Sequence, residues 1–239
     1  MFNNPLYAFG QYCSSLFLSA APVEIDVAQR QQVLLQRLEQ YIVANDEFAL
    51  LALFTDDADS QFIAAGLKAS PASLLHMAAA QANGHVFRVL LSQLPLDVLT
   101  YHTMPMDHSP LISATQGENS MNIVWFLSAV ESKMRNENPT LNALQAVQHR
   151  YFHPAWDTYR TVVNATDADQ NTALMVAIRA NNVDAVTALL LCNAGLSGEN
   201  SAGETVHDLI AHPDTNAEIV QRVQARIQGL ARFRGAEQG

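Results

Sequence analysis

The side chains best placed to act in concert are His149 and His153, four residues apart, with Asp157 four residues further on. On a helix, two imidazoles at that spacing share a face and can ligate one divalent metal. A carboxylate beside them can serve as a further ligand or as a general base. If the three converge in a pocket, residues 130–160 become the working part of an enzyme, or of a protein that regulates one. Pro154 counts against this, because it places His153 at a helix end. No cysteine lies close by. The plainer reading is a surface or partly packed pair. Cys13 sits in an apolar stretch with no activating neighbour in sequence and reads as packing. His207 and His212 show no nucleophile partner. Gly-x-Gly-x-x-Gly, Gly-Lys-Ser/Thr and Gly-x-Ser-x-Gly are all missing from the sequence. The expected catalytic, cofactor and metal sets are therefore empty, and the chain reads as a non-enzyme.

The elements that would carry any site are plainest between residues 164 and 195. Thr172 has the side chain of a helix cap, whose oxygen accepts from a free backbone N–H. Leu174, Ala177 and Ile178 follow on one helical face. Asn181 and Asn182 interrupt the pattern, and asparagine tolerates the left-handed conformation that ends helices. Val183, Val186, Leu189 and Leu190 then stripe a second helix, closed at Asn193-Ala194. Turn, short helix, two-residue break and second helix together resemble an ankyrin repeat. Asn181-Asn182 stands where that family usually has Gly-His, and Asn193-Ala194 where it has Gly-Ala.

One such pair cannot bury its apolar face alone and needs neighbours. Thr205 begins a similar unit 33 residues after Thr172, in Gly203-Glu204-Thr205-Val206-His207-Asp208-Leu209. Upstream, Ser109-Pro110-Leu111-Ile112-Ser113-Ala114 resembles the Thr-Pro-Leu-His-x-Ala core of the family. Ser73-Leu74-Leu75-His76-Met77-Ala78 resembles it again, 36 residues earlier. The resemblance gives His76 a structural role, hydrogen-bonding the hairpin backbone. Two apolar runs between residues 38 and 54, split by Asn45-Asp46, look like a leading, half-degenerate repeat. The expectation is one capping repeat and four others: an all-α, ankyrin-repeat solenoid of stacked helix-turn-helix units with short hairpin tips.

The step from Ser109 to Thr172 is 63 residues, about 30 more than one period. Glu131 to Thr140 is polar and contains Pro139, a loop signal. Leu141 to Tyr151 then predicts a helix ending at Pro154. The lack of a repeat-start signal there fits an insertion or a divergent repeat equally well. Tyr151, Phe152, Trp156 and Tyr159 in this region would either anchor a partner or hold an insertion onto the stack. Trp125 and Phe126 read as inter-repeat core. The expected organisation is an arm or docking helix over residues 1–30, the repeat domain over 31–234 with its irregular segment at 130–160, and a frayed tail at 235–239.

Composition agrees with a packed helical chain: 49% hydrophobic residues against 15% charged, in 239 residues. No run of 18 apolar residues suggests a membrane span. The distant pair Cys13 and Cys192 makes a structural disulfide improbable and suits a reducing, cytoplasmic setting. Formal net charge is −10, with Lys68 and Lys133 the only lysines. Such a balance disfavours nucleic acid and favours a partner with basic surface. Residues 16–21 faintly mimic a secretory signal, but the first basic side chain is Arg30 and the positive region is missing.

The resemblance implies work without catalysis: holding another protein, as a monomer, with hairpin tips and inner helices. Carried over by position, the tips are residues 68–72, 104–108, 168–171, and Ser201, Ala202 and Glu204. The inner-helix positions are Ala80, Gln116, Arg179 and Ala180. The contact set singled out is Met104, Met106, Asp107, His108, Gln116, Asp169, Asn171, Arg179, Ser201 and Glu204. Irregular repeats with inserted residues and Gln/Asn-rich surfaces also resemble, in style, those of ankyrin proteins that intracellular bacteria deliver into host cells. That likeness implies a host protein as partner. A housekeeping scaffold or an inhibitor of a cognate enzyme is the alternative within the class.

Overall fold

The computed structural model describes residues 27–69, 74–100, 109–138, 141 and 156–236. Helix α1 (Val27–Ala44) is followed by α2 (Glu47–Leu53), α3 (Asp57–Ala69), α4 (Leu74–Ala80), α5 (His85–Gln93) and the single turn α6 (Leu96–Leu99). Then come α7 (Pro110–Gln116), α8 (Met121–Glu137), α9 (Asp157–Val163), α10 (Ala173–Arg179), α11 (Val183–Leu191), α12 (Val206–Ala211) and α13 (Ala217–Ala236). No strand longer than an isolated bridge occurs among the described residues. The expected all-α class is met.

Side-chain chemistry sets the breaks between paired helices. Asn45, Asn181 and Asn193 have φ of 53°, 53° and 61°, the left-handed region that asparagine tolerates better than most residues. Asp46 then caps α2 by accepting from the Ala49 N–H at 2.9 Å, and Asn182 caps α11 by accepting from the Ala185 N–H at 3.0 Å. Thr172 caps α10 through the Met175 N–H. Thr205 and Asp208 cap each other's backbone at the start of α12, a reciprocal box.

Packing sorts these helices into two rows. In the first, α1, α4, α7, α10 and α12 touch in succession; in the second, α2, α5, α8, α11 and α13 do the same. Each first-row helix also packs on its second-row partner, so the unit is a helix pair and the fold is a stack of pairs. Ala78, Ala79, Ala114, Ala173 and Ala177 are fully buried in the first row. Their small side chains let backbones come close. At Gly117 the approach is closer still: a Cβ there would lie 2.6 Å from the Ala80 carbonyl oxygen. Larger side chains fill the space between rows. Phe87 and Phe126 stack with ring centroids 6.3 Å apart, and Ile123, Leu127, Leu174, Val186, Leu189, Ile219 and Val223 are all buried. Trp125 is only partly buried, with the Arg88 guanidinium 5.4 Å from its ring centroid.

Asparagine and glutamine amides tie consecutive pairs together. The Asn122 amide, fully buried, donates to the Ala79 and Gln81 carbonyls, both at 2.9 Å. Gln81 in turn donates to the Ile42 carbonyl at 2.7 Å. Asn164 accepts from the Gly195 N–H at 2.7 Å, Asn181 from the Asn216 N–H at 2.8 Å, and Asn193 from the Arg226 guanidinium at 2.7 Å. Replacing Asn122 with Ala strips one buried and one partly buried carbonyl of this donor. The expected loss is about 1–3 kcal/mol in chemical denaturation, with the m-value unchanged.

The region after Val130 corrects one expectation. The polar run from Glu131 was expected to be a loop, yet α8 continues to Glu137. Val130 and Met134 carry the buried stripe onward, and Glu131 and Arg135 pair across one turn at 2.5 Å on its polar side. The predicted helix over 141–151 lies outside the described residues, save Leu141, which is buried with its carbonyl accepting from Arg135 at 3.2 Å. Helix α9, not foreseen, packs on α8. Meanwhile α7 touches α10 and α8 touches α11 directly. Of the surplus residues that are described, α9 therefore stands beside the stack and not between its pairs. Helix α3 is likewise extra. It lies along α1 through the Arg30–Asp59 ion pair at 2.5 Å and the Gln31–Phe62 carbonyl bond at 3.0 Å. Lys68, expected at a tip, is in the last turn of α3 and pairs with Asp97.

Candidate binding surface

Two hairpins lead into α10 and α12, each of them tightly hydrogen-bonded. Each is pinched at its base by an antiparallel bridge, Thr166 with Thr172 and Glu199 with Thr205. Positive φ at Gln170 (61°) and Gly203 (79°) turns the chain at the tips. Both turns are held by a carboxylate or amide oxygen taking backbone N–H groups. Asp167 accepts from the Asn171 N–H at 2.8 Å, and Asn200 accepts from the Ala202 and Glu204 N–H groups at 3.0 and 2.9 Å.

The two hairpins are then joined into one polar ladder. The Asn171 amide donates to both Asp167 carboxylate oxygens, at 3.3 and 3.2 Å, and its own oxygen accepts from the Asn200 amide at 2.9 Å. Asn200 also donates to Glu204 at 2.9 Å, and Glu204 pairs with Arg179 at the end of α10. The Ser201 N–H donates to the Asp169 carbonyl at 2.9 Å, tying tip to tip. Asn171 and Asn200 are buried, so their mutual bond is shielded from water, whereas the Arg179–Glu204 pair is exposed and contributes little to stability by itself. Beside the ladder, hydrogen bonds from the Thr205 hydroxyl and then its backbone N–H hold the Asp208 carboxyl below its usual range.

Asp169 and Ser201 are exposed at the tips, and Glu204 is partly exposed. Ala80, Gln116 and Arg179 are exposed at the ends of α4, α7 and α10, with Ala180 beside Arg179. Ala80, Gln116 and Arg179 come seven residues after their repeat starts, Ser73, Ser109 and Thr172. The same offset from Thr205 falls on His212, also exposed, which the contact set missed although the spacing pointed to it. Met77, 38% exposed on α4, was missed too. Asn171 is a correction: it was expected to face a partner, but its amide is spent on Asp167 and Asn200, and it positions its neighbours instead. Met104, Met106, Asp107 and His108 lie outside the described residues.

Of the alternative site, only Asp157 lies among the described residues. His149, His153, Tyr151 and Phe152 lie outside the described residues. Asp157 is exposed and paired with Arg160. Trp156 and Tyr159 are buried, so of the two roles foreseen for them it is the core that they serve. Burial pushes the Cys192 thiol up to about 11, leaving it protonated at neutral pH and a poor nucleophile. Among the described residues, no group of three or more His, Cys, Asp or Glu side chains is placed to hold a metal. No helix among them is long and apolar enough to cross a membrane.

With this geometry in hand, comparison with known proteins gives one match: residues 169–200 fit the family model of the ankyrin repeat. The matched segment runs from the Asp169 tip through α10 and α11 to the next hairpin, the same unit that carries the ladder. No curated protein matches the chain. An ankyrin repeat is thus present within an all-α repeat fold. Ankyrin repeats are in general protein–protein interaction modules and are typically non-catalytic.

Proposed function

We propose that the chain is a non-catalytic interaction module that grips a partner protein with the hairpin tips and the exposed ends of the first-row helices, along the hollow side of the stack. Asp169, Ser201, Glu204, Arg179 and Gln116 would make the contacts, with His212 extending the strip. The observation that carries this reading is the buried ladder through Asn171 and Asn200. It fixes two tips relative to each other before any partner arrives, so little conformational entropy is lost on binding. A net charge of −10 supports a partner with a basic surface. The style of the repeats supports the further reading of an effector meeting that partner in a host cytosol, where it acts as a monomer without nucleic acid or membrane.

The test compares two altered proteins of equal stability. Arg179→Glu with Asp169→Lys alters the tips and first-row edge. Leu191→Asp alters the second row, where Leu191 is 76% exposed. In quantitative affinity capture, the first is expected to reduce retention of a saturable protein partner at least about tenfold, which is about 1.4 kcal/mol. The second is expected to leave it unchanged. Equal retention by both, or loss only with Leu191→Asp, would overturn the proposed surface.

A further inference from the structure

Asn83-Gly84, between α4 and α5, is the one Asn-Gly step in the sequence. Asn83 is exposed, whereas Gly84 is buried. The Asn83 side-chain oxygen accepts from the His85 N–H at 3.2 Å. The ring closed by that bond contains the Gly84 nitrogen, so the carboxamide carbon stays near it. Gly84 has no side chain to shield this nitrogen. Among the described residues, nothing accepts from the Gly84 N–H, while the Gly84 carbonyl accepts from the Arg88 N–H at 2.9 Å. The glycine is also wedged against the next unit. A Cβ there would strike the Trp125 ring and the Asn122 side-chain oxygen, both on α8. An electrophilic side chain in water thus adjoins a backbone position that has no room to move.

We propose that Asn83 is a site of self-modification, converted by the Gly84 amide, through a cyclic imide, into aspartate and isoaspartate. The Gly84 nitrogen loses its proton to hydroxide and attacks Asn83 Cγ, forming a new C–N bond. The carbonyl electron pair moves onto Oδ1, where the His85 N–H steadies the developing charge. The pair then returns, the bond from Cγ to the side-chain nitrogen breaks, and ammonia leaves with a proton from water. Water next adds to one imide carbonyl and reopens the ring. Opening at the main-chain carbonyl leaves isoaspartate, whose backbone runs through Cγ and is one carbon longer. Opening at the side-chain carbonyl leaves aspartate. The net change is one water taken up and one ammonia released. Either product puts a carboxylate just before α5, and the lengthened backbone displaces Gly84 from its slot. That slot lies where α5 packs on α8, beside the Asn122 bonds to the Ala79 and Gln81 carbonyls. Conversion therefore loosens the second unit from the third and sets a chemical limit on the life of the folded stack.

Timed incubation of the full chain at mildly alkaline pH, followed by trypsin digestion and mass spectrometry, tests this. Cleavage after Lys68 and Arg88 releases residues 69–88, in which Asn83 is the only asparagine. In the folded protein this peptide is expected to show the amide-to-acid mass change at least about tenfold faster than any other asparagine-containing peptide, a barrier lower by about 1.4 kcal/mol. Isoaspartyl methyltransferase with labelled S-adenosylmethionine is expected to mark the same peptide. Asn83→Ser keeps an oxygen for the His85 N–H. It is expected to abolish both signals while holding the unfolding midpoint within about 2 °C of the parent. Converted protein, separated by ion exchange on its added charge, is expected to melt at least about 4 °C lower. Conversion confined to the urea-unfolded chain, or spread evenly over the other asparagines, would overturn the proposal. So would a converted protein that melts with the parent.

Discussion

Replacing Trp156 with Ala is expected to remove about 3–5 kcal/mol of unfolding free energy, or about 6–20 °C from the thermal midpoint. Trp156 is fully buried immediately before α9. Tyr159 meets its ring edge-on at a centroid distance of 5.8 Å, and the Arg135 guanidinium of α8 lies 4.9 Å from the ring centroid. The Tyr159 hydroxyl donates to the Cys192 carbonyl at the end of α11, at 3.1 Å. One indole thus fastens the returning helix α9 to the second row. Its removal empties a large cavity and leaves Arg135 without its aromatic neighbour. Urea titration of Trp156→Ala and Trp156→Phe checks the claim, the second being expected to lose less than the first. A loss under about 1 kcal/mol together with weakened partner capture would instead make Trp156 an interface anchor.

The second large effect sits in the pair α10–α11. Leu189→Ala is expected to destabilise by about 2–5 kcal/mol, because Leu189 is fully buried between α11 and its neighbours in the second row. Leu191, two residues on and about 200° around the same helix, is 76% exposed. Leu191→Ala is therefore expected to stay within about 0.5 kcal/mol of the parent. The contrast fixes the rotation of α11 about its axis. Equal effects at the two positions would mean that the helix presents another face to the stack.

Much of the fold was legible because the local signals are physical ones. Thr172 and Thr205 cap, Asn181 and Asn193 take positive φ, and Leu174, Ala177, Ile178, Val186 and Leu189 are buried as their spacing requires. The split at Asn45-Asp46 likewise divides α1 from α2. The failures came where tertiary contact overrode local character. Glu131 to Glu137 is polar enough for a loop, but Met134 faces the core and the Glu131–Arg135 pair supports a helix. Helix α3 was overlooked because its partner is α1, some thirty residues away, a pairing that no local period reveals. Of the candidate surface, the exposed helix ends follow from a seven-residue offset, so Gln116 and Arg179 could be named and His212 could have been. The burial of Asn171 could not be read, because it depends on Asn200 reaching across from the next hairpin at 2.9 Å.

The direct passage from α7 and α8 to α10 and α11 bears on how the molecule comes apart. In a linear array, each module draws much of its stability from the interfaces on either side, and unfolding spreads through nearest neighbours. A spacer wedged between modules would sever that coupling and let two halves denature independently. Here α7 meets α10 and α8 meets α11 directly, so the interface is whole. Cooperativity is therefore expected to pass across it, so that circular dichroism and tryptophan fluorescence report one coincident melting transition.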